Sequence, residues 1–313
     1  MPDGLRRPAR GLAVLAPLLV ALLLASTLTA CESRSSAQPS EEPTVRTSDP
    51  LTGTDPYVYV AMGDSYTAAH GVPGTNWLDG CLQSHRNYPN LVADTLPDTK
   101  LIDVSCSGAA THHMWDVREY GTIEHPPQLD ALTKDTDLVT ISIGYNDFRL
   151  FATLFGRCAE LAKKDPEGSP CQDRLIRPTG YDYLAKRVVI IGKRLKKALL
   201  DIRERAPEAR ILVVSYPHLL PETGYCRGRV PLAKGDYPYV RGINEQMSDA
   251  QREAAESIEG GEYVDVTAAS VGHDVCSADP WVAGIDPVPT RAAAFHPFAV
   301  EQRAVADLIL DEL

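Results

Sequence analysis

The sequence is short of positive charge. Of its 313 residues, 31 are Lys or Arg against 42 Asp or Glu, giving a formal net charge of -11. A cleft that follows a polyphosphate backbone needs clustered cations, so the balance argues against nucleic acid as a partner. The acidity needs no ligand to explain it, because net charge by itself keeps a protein soluble. Also missing is any C-x-x-C pair among the seven cysteines, which leaves zinc without its usual ligand spacing. No metal or other cofactor is expected. No internal repeat is evident.

What is present is an ordinary globular composition, 44% hydrophobic and 23% charged, enough for one large domain or two modest ones. The first thirty residues stand apart from it. Arg6, Arg7 and Arg10 are followed by an apolar stretch from Gly11 to Leu28, and then by Leu28-Thr29-Ala30-Cys31. This resembles a bacterial lipoprotein signal over 1–30, in which Cys31 is lipidated and becomes the mature N-terminus. An uncleaved span would need roughly 20 apolar residues, and Pro17 with the small residues before Cys31 favours cleavage. Each lipid CH₂ contributes about 0.8 kcal/mol, so two or three acyl chains anchor firmly. The expected place is the extracellular face of the cytoplasmic membrane. Residues 31–56, rich in Ser, Pro, Glu and Thr, read as a flexible tether to a domain over 57–313.

With Cys31 spent on lipid, six cysteines remain: Cys81, Cys106, Cys158, Cys171, Cys226 and Cys276. An even number in an exported protein suggests disulfides, and six allow 15 connectivities.

Short apolar runs recur at Tyr57–Met62, Leu101–Val104, Leu138–Ile143, Ile211–Tyr216 and Tyr263–Val266. Helical patterns fall at Tyr181–Arg205, Ile243–Ile258 and Ala299–Leu313. Apolar strands separated by helices predict an α/β fold, a central parallel sheet sandwiched between helical layers. In such sheets ligands bind beyond the carboxyl ends of the strands. There the sequence places Gly63-Asp64-Ser65, then Ser105-Cys106-Ser107-Gly108-Ala109, then Gly144-Tyr145-Asn146-Asp147. Phe295-His296-Pro297 precedes the last helix, with Pro297 suited to a first helical turn. Any one of these could be a turn, a cap or a satisfied polar residue. Their joint occurrence at successive strand ends is much harder to assign to chance.

Gly63-Asp64-Ser65-Tyr66, Gly108, Gly144-Tyr145-Asn146-Asp147 and His296-Pro297 resemble the four blocks of the SGNH (GDSL-type) hydrolases, in the branch of secreted bacterial lipases and esterases. The resemblance spans the chain from Tyr57 onward, and Gly-Asp-Ser-Tyr differs from the Gly-x-Ser-x-Gly elbow of α/β-hydrolases. It implies a flavodoxin-like three-layer sandwich, sequential pairing of the six cysteines, and a serine hydrolase acting through an acyl-serine. Ser65 would be the nucleophile and His296 its base. The oxyanion hole would be the N–H groups of Ser65 and Gly108 with the Asn146 amide. Gly108 suits that role because no Cβ obstructs approach.

The sequence departs from the family at two points. The Asp usual three residues before the histidine is here Ala293, so the histidine is expected to be oriented by the backbone carbonyl of Ala293. Asp279 and Asp286 are alternatives. Phe298 also stands where many relatives have Asn. His218 is a rival base, His112-His113 read as a surface loop, and Trp281 reads as packing beneath the histidine loop. The partner is then an ester substrate, an acyl lipid or an acylated small molecule or glycan, met by a monomer. A carbohydrate O-deacetylase using the same site, and a catalytically silent ligand-binding lipoprotein, are the alternatives.

Overall fold

The computed structural model describes residues 56–313. The signal, Cys31 and the tether up to residue 55 lie outside the described residues. Five strands form one sheet: β1 Tyr57–Gly63, β2 Thr99–Asp103, β3 Leu138–Ser142, β4 Arg210–Val214 and β5 Gly261–Val264. All pair in parallel, in the order β2-β1-β3-β4-β5. This is the flavodoxin-like order, whose direction reverses between β1 and β3 and opens a crevice beyond their carboxyl ends.

Alternation along β1 explains the layers. Tyr57, Tyr59 and Ala61 face one side, packing with helices α2 (Tyr88–Thr95) and α5 (Ala299–Glu312) through Tyr88, Val92, Val305 and Ile309. Val60 and Met62 face the other side, with Leu195, Leu199 and Ile202 of helix α3 (Tyr183–Arg205) and Ala254 and Ala255 of α4 (Tyr237–Glu256). Successive strand residues point to opposite faces, so a strand buried on both reads as one continuous apolar run. In α3 the buried Leu184, Val188, Ile191, Leu195, Ala198 and Ile202 recur every three or four residues, the stripe of a helix packed on one face. Burial of each such aliphatic chain contributes about 1.5–3 kcal/mol.

The element boundaries shift where sequence-local chemistry decides them. Helix α4 starts at Tyr237, six residues before Ile243, because Pro238 sits in its first turn, where its missing N–H costs nothing. At the end of β4, Ser215 still donates to Val264 of β5 and bonds Thr267, while Tyr216 turns its hydroxyl to Asp64. Helix α2 and a hairpin of Arg118–Tyr120 with Ile123–His125 carry too few residues to show a period. The cysteines pair sequentially, Cys81–Cys106, Cys158–Cys171 and Cys226–Cys276.

Candidate active site

The site lies in the crevice between β1 and β3. At the end of β1, Gly63 has φ +146°, and a Cβ there would sit 2.5 Å from the Ser142 carbonyl and 2.3 Å from Thr67 Oγ1. Only glycine fits so close an approach of two strands. Buried Gln128 fixes the same peptide from both sides, accepting from Gly63 N at 2.8 Å and donating to Gly63 O at 2.9 Å. Asp64 then caps the short helix α1 (Ser65–Ala68), its carboxylate accepting from Tyr66 N at 3.0 Å. Ser65 therefore stands in the first turn, where backbone N–H groups lack intrahelical acceptors.

His296 approaches from the loop before α5. Its Nε2 lies 2.8 Å from Ser65 Oγ, and its Nδ1 lies 2.7 Å from the carbonyl of Ala294. A carbonyl can only accept, so Nδ1 carries the proton and Nε2 accepts from the serine hydroxyl. The orienting group is thus Ala294 rather than Ala293. The Ala293 carbonyl is already engaged, accepting from the His296 backbone N–H at 3.1 Å and closing a turn. That turn, with Phe295 at φ +55°, swings the neighbouring carbonyl toward the ring. Asp279 lies against His273 instead, and Asp286 is exposed. His296 rather than His218 meets the serine; His218 donates its backbone N–H to Ser270 Oγ. Trp281 is buried, stacks on His273 at 4.7 Å and accepts from Phe298 N through its carbonyl, packing beneath the histidine loop.

Tyr66 ties the nucleophile's helix to this loop. Its hydroxyl donates to Phe295 O at 2.7 Å, and its ring lies 5.6 Å from that of His296, stacked. Beneath it, Gln302 of α5 donates to Tyr66 O and accepts from Tyr88 N. The protein packs round the imidazole on most sides, and this burial pushes its pKa down to about 4, the Ala294 carbonyl opposing and His70 reinforcing. Burial likewise pushes Asp64 up to about 7, against the hydrogen bonds from Tyr216 and Tyr66.

The two remaining blocks meet at the same crevice. Gly108 is exposed with φ +80°, and its loop is tied to β1 by Cys106 N donating to Gly63 O, and to the segment around Cys81 by the Cys81–Cys106 disulfide and by Ser107 N donating to Cys81 O. Asn146 Nδ2 donates one hydrogen to Ala109 O at 2.9 Å, which brings β3's loop to the Gly108 loop. Among the described residues, the N–H groups of Ser65 and Gly108 have no protein acceptor. Buried Asp147 locks the arrangement, accepting from Thr111 N at 2.7 Å, Thr111 Oγ1 at 2.6 Å and Arg194 Nη1 at 2.8 Å. Phe148 and Arg149 follow at φ +52° and +57°. Left-handed backbone costs a non-glycine residue about 1–2 kcal/mol, and such outliers gather at functional sites.

Sequence analysis names Ser65, Gly108, Asn146 and His296, which the structure brings to one crevice. It missed His70, whose ring lies 5.3 Å from that of His296 and 5.8 Å from Trp77. It also missed the Tyr216 hydroxyl, which donates to Asp64 Oδ2 at 2.6 Å from beyond the end of β4, two strands from β1. No spacing in the chain marks either.

Known proteins resemble this chain in sequence and in fold. The model of the GDSL-like lipase/acylhydrolase family matches residues 61–299. The chain is 39% identical to Lipase 2 of Streptomyces coelicolor, over 84% of this chain and 88% of that protein. It is 31% identical to an esterase of Streptomyces scabiei, over 74% and 76%. Among solved structures, it superposes on the extracellular lipase of Streptomyces rimosus with a TM-score of 0.66 at 25% identity, covering 82% of this chain and all of that one. The fold is shared as well with phospholipase A1 of Streptomyces albidoflavus, TM-score 0.68 at 24% identity, again over 82% and 100%. The chain belongs to the GDSL-like lipase/acylhydrolase family.

Proposed function

We propose that Ser65 is the nucleophile of this ester hydrolase and His296 its general base, with the N–H groups of Ser65 and Gly108 and the Asn146 side-chain amide forming the oxyanion hole. The 2.8 Å contact of Ser65 Oγ with His296 Nε2 carries the reading, because a serine hydroxyl attacks only when a base takes its proton. As Oγ attacks the ester carbonyl, its proton passes to Nε2. The imidazolium is then steadied by the Ala294 carbonyl dipole on Nδ1–H, and the developing oxyanion by the three donors. His296 returns the proton to the departing alcohol, leaving an acyl-serine. Water enters by the same route and releases the acid. A fluorophosphonate probe tests the assignment: digestion and mass spectrometry should find one phosphonyl adduct, on Ser65. A sole adduct on another serine would overturn it.

The base lacks a carboxylate, and this has a pH signature. With burial holding His296 down to about 4, the imidazole stays neutral well below the ordinary histidine range. The acid limb of kcat/KM on an uncharged ester reports the free enzyme's base, and is expected near pH 4 rather than near 6.5. The linked stability has a definite sign. Between pH 6.5 and 4 the unfolded chain binds a proton at this position that the fold refuses. The contribution is therefore whole above pH 6.5 and is lost as pH falls toward 4. A pH–rate profile with a limb near 6.5 would contradict the neutral, carbonyl-held histidine.

We further propose that the substrates are acyl lipids. Phe151 lies with its ring 5.9 Å from that of His296, an apolar wall beside the reacting centre. On the other side, the rim exposes Trp77 at 63% and Leu78 at 86%, joined to His296 through His70. Burying an apolar side chain of this size in lipid contributes about 1.5–3 kcal/mol. The double change Trp77→Ser and Leu78→Ser should lower turnover of aggregated long-chain esters roughly ten- to a hundredfold. Rates on dissolved short esters should fall much less, and an equal fall on both would remove the rim from substrate binding. The Leu28-Thr29-Ala30-Cys31 stretch supports anchoring of the chain by lipid on Cys31, outside the cytoplasmic membrane. Cys31→Ser should then move the protein from the membrane to the soluble fraction and abolish labelling by radioactive palmitate.

A further inference from the structure

Arg118 opens the hairpin and reaches back over the Ser107-Gly108 peptide. Its Nη2 donates to Ser107 O and stands 2.9 Å from where a Cβ on Gly108 would lie. A guanidinium therefore covers one side of the glycine assigned to the oxyanion hole. Among the described residues it forms no ion pair, whereas Arg194, Arg205, Arg210 and Arg252 each hold a carboxylate. Its remaining contacts are weak. Nη1 reaches the Glu119 carbonyl only at 3.4 Å, and Nε is buried without a partner. Arg187, Arg203 and Arg241 are likewise half-buried without a carboxylate, resting on aromatic rings or backbone carbonyls, so what sets Arg118 apart is its place against Gly108.

The surroundings point the same way. His113 accepts from Ala110 N at 2.9 Å through Nδ1, so its ring proton sits on Nε2. Burial first, and then the charges of His112 and Arg118, push its pKa down to about 4, with Asp116 acting the other way. It is thus a neutral donor near a fixed cation. His112 is exposed and stacks on it at 3.9 Å.

We propose that Arg118, with His113 beside it, is a subsite for an anionic group of the ester substrate, a phosphodiester or a carboxylate set a few atoms from the scissile carbonyl. This rests on Ser65 being the nucleophile, since that fixes where the carbonyl lies. The planar guanidinium presents N–H groups in a fork that matches two oxygens of a phosphate or carboxylate. With the carbonyl in the oxyanion hole, such a group reaches the cation at the edge of Gly108. A wholly neutral ester leaves the cation unanswered.

The test is binding without turnover, in the full chain carrying Ser65→Ala. Calorimetry compares dihexanoyl glycerophosphocholine, hexyl hydrogen succinate and neutral dihexanoylglycerol, with and without Arg118→Gln. Arg118→Gln should weaken at least one anionic ligand ten- to a hundredfold more than the neutral one, and Arg118→Lys should recover part of the loss. Whichever anion loses more identifies the phosphodiester or the carboxylate as the recognised group. Equal losses for all three ligands would reduce Arg118 to a clamp on the Ser107 carbonyl and overturn the proposal. Should Arg118→Gln fail to fold, salt decides: affinity for the anion must fall between 50 and 500 mM NaCl while that for dihexanoylglycerol holds. Hydrolysis by the unsubstituted protein is read separately, so a failure of the nucleophile assignment is seen as lost turnover and not as a changed affinity ratio.

Discussion

Replacing Ser65 with alanine should lower kcat for p-nitrophenyl butyrate by about 10⁴-fold or more, because the covalent route disappears with the hydroxyl. The fold should not notice. Ser65 Oγ makes one side-chain contact, to His296, and its removal leaves Asp64 capping α1 and Gln128 holding Gly63. Thermal unfolding should shift by no more than a few degrees. His296→Ala should cost about as much, and the double variant scarcely more than either single one, since the two residues act as one unit. Additive losses would mean that serine and histidine work independently, which the 2.8 Å contact does not allow. A loss below tenfold in Ser65→Ala would place the nucleophile elsewhere. Titration with p-nitrophenyl butyrate across all three variants, at one pH above 6.5, settles the matter.

The sheet was legible chiefly through its three central strands. They bury both faces and therefore write nearly continuous apolar runs, as Leu138 to Ser142 does with all five residues buried. The edge strands β2 and β5 are only partly buried. The long helix α3 was legible because its buried stripe, Leu184 to Ile202, repeats over about five turns. Shorter elements escaped for want of length. Helix α2 has eight residues and a proline, and the hairpin strands have three residues each. The proposed catalytic residues were visible because polar groups interrupt apolar runs at strand ends, where a parallel sheet must open its crevice. The group that orients His296 was not, and for a physical reason. A carbonyl belongs to every residue, so no side chain distinguishes Ala294 from Ala293. The choice depends on a turn with a left-handed residue, Phe295, and that backbone state is rare enough outside glycine to defeat a sequence reading. Long-range partners such as Tyr216 to Asp64, 152 residues apart, are invisible for the same want of local signal.

Asn146→Ala should lower kcat by about 10²–10³ with KM nearly unchanged. The oxyanion exists only at the tetrahedral stage, so a donor aimed at it strengthens the transition state and not the bound substrate. One hydrogen of Asn146 Nδ2 already serves Ala109 O at 2.9 Å, which holds the amide in place with its second hydrogen available. Losing that positioning bond should cost stability about 1–3 kcal/mol, because Ala109 is buried and its carbonyl is left without a donor. Asp147→Asn is the informative contrast. It leaves the Asn146 amide present but halves the charge-assisted anchoring by Thr111 and Arg194. Its main effect should therefore fall on unfolding, with a smaller loss in kcat from a loosened donor. A rise in KM with kcat intact in Asn146→Ala would show that the amide grips the ground-state ester and does not stabilise the oxyanion. The hole would then consist of two backbone N–H groups, and His296, without a carboxylate behind it, would have to deliver the remaining rate through a base already held near pKa 4. Such a base takes a proton poorly at neutral pH, so the third donor is where this site can make good the missing aspartate.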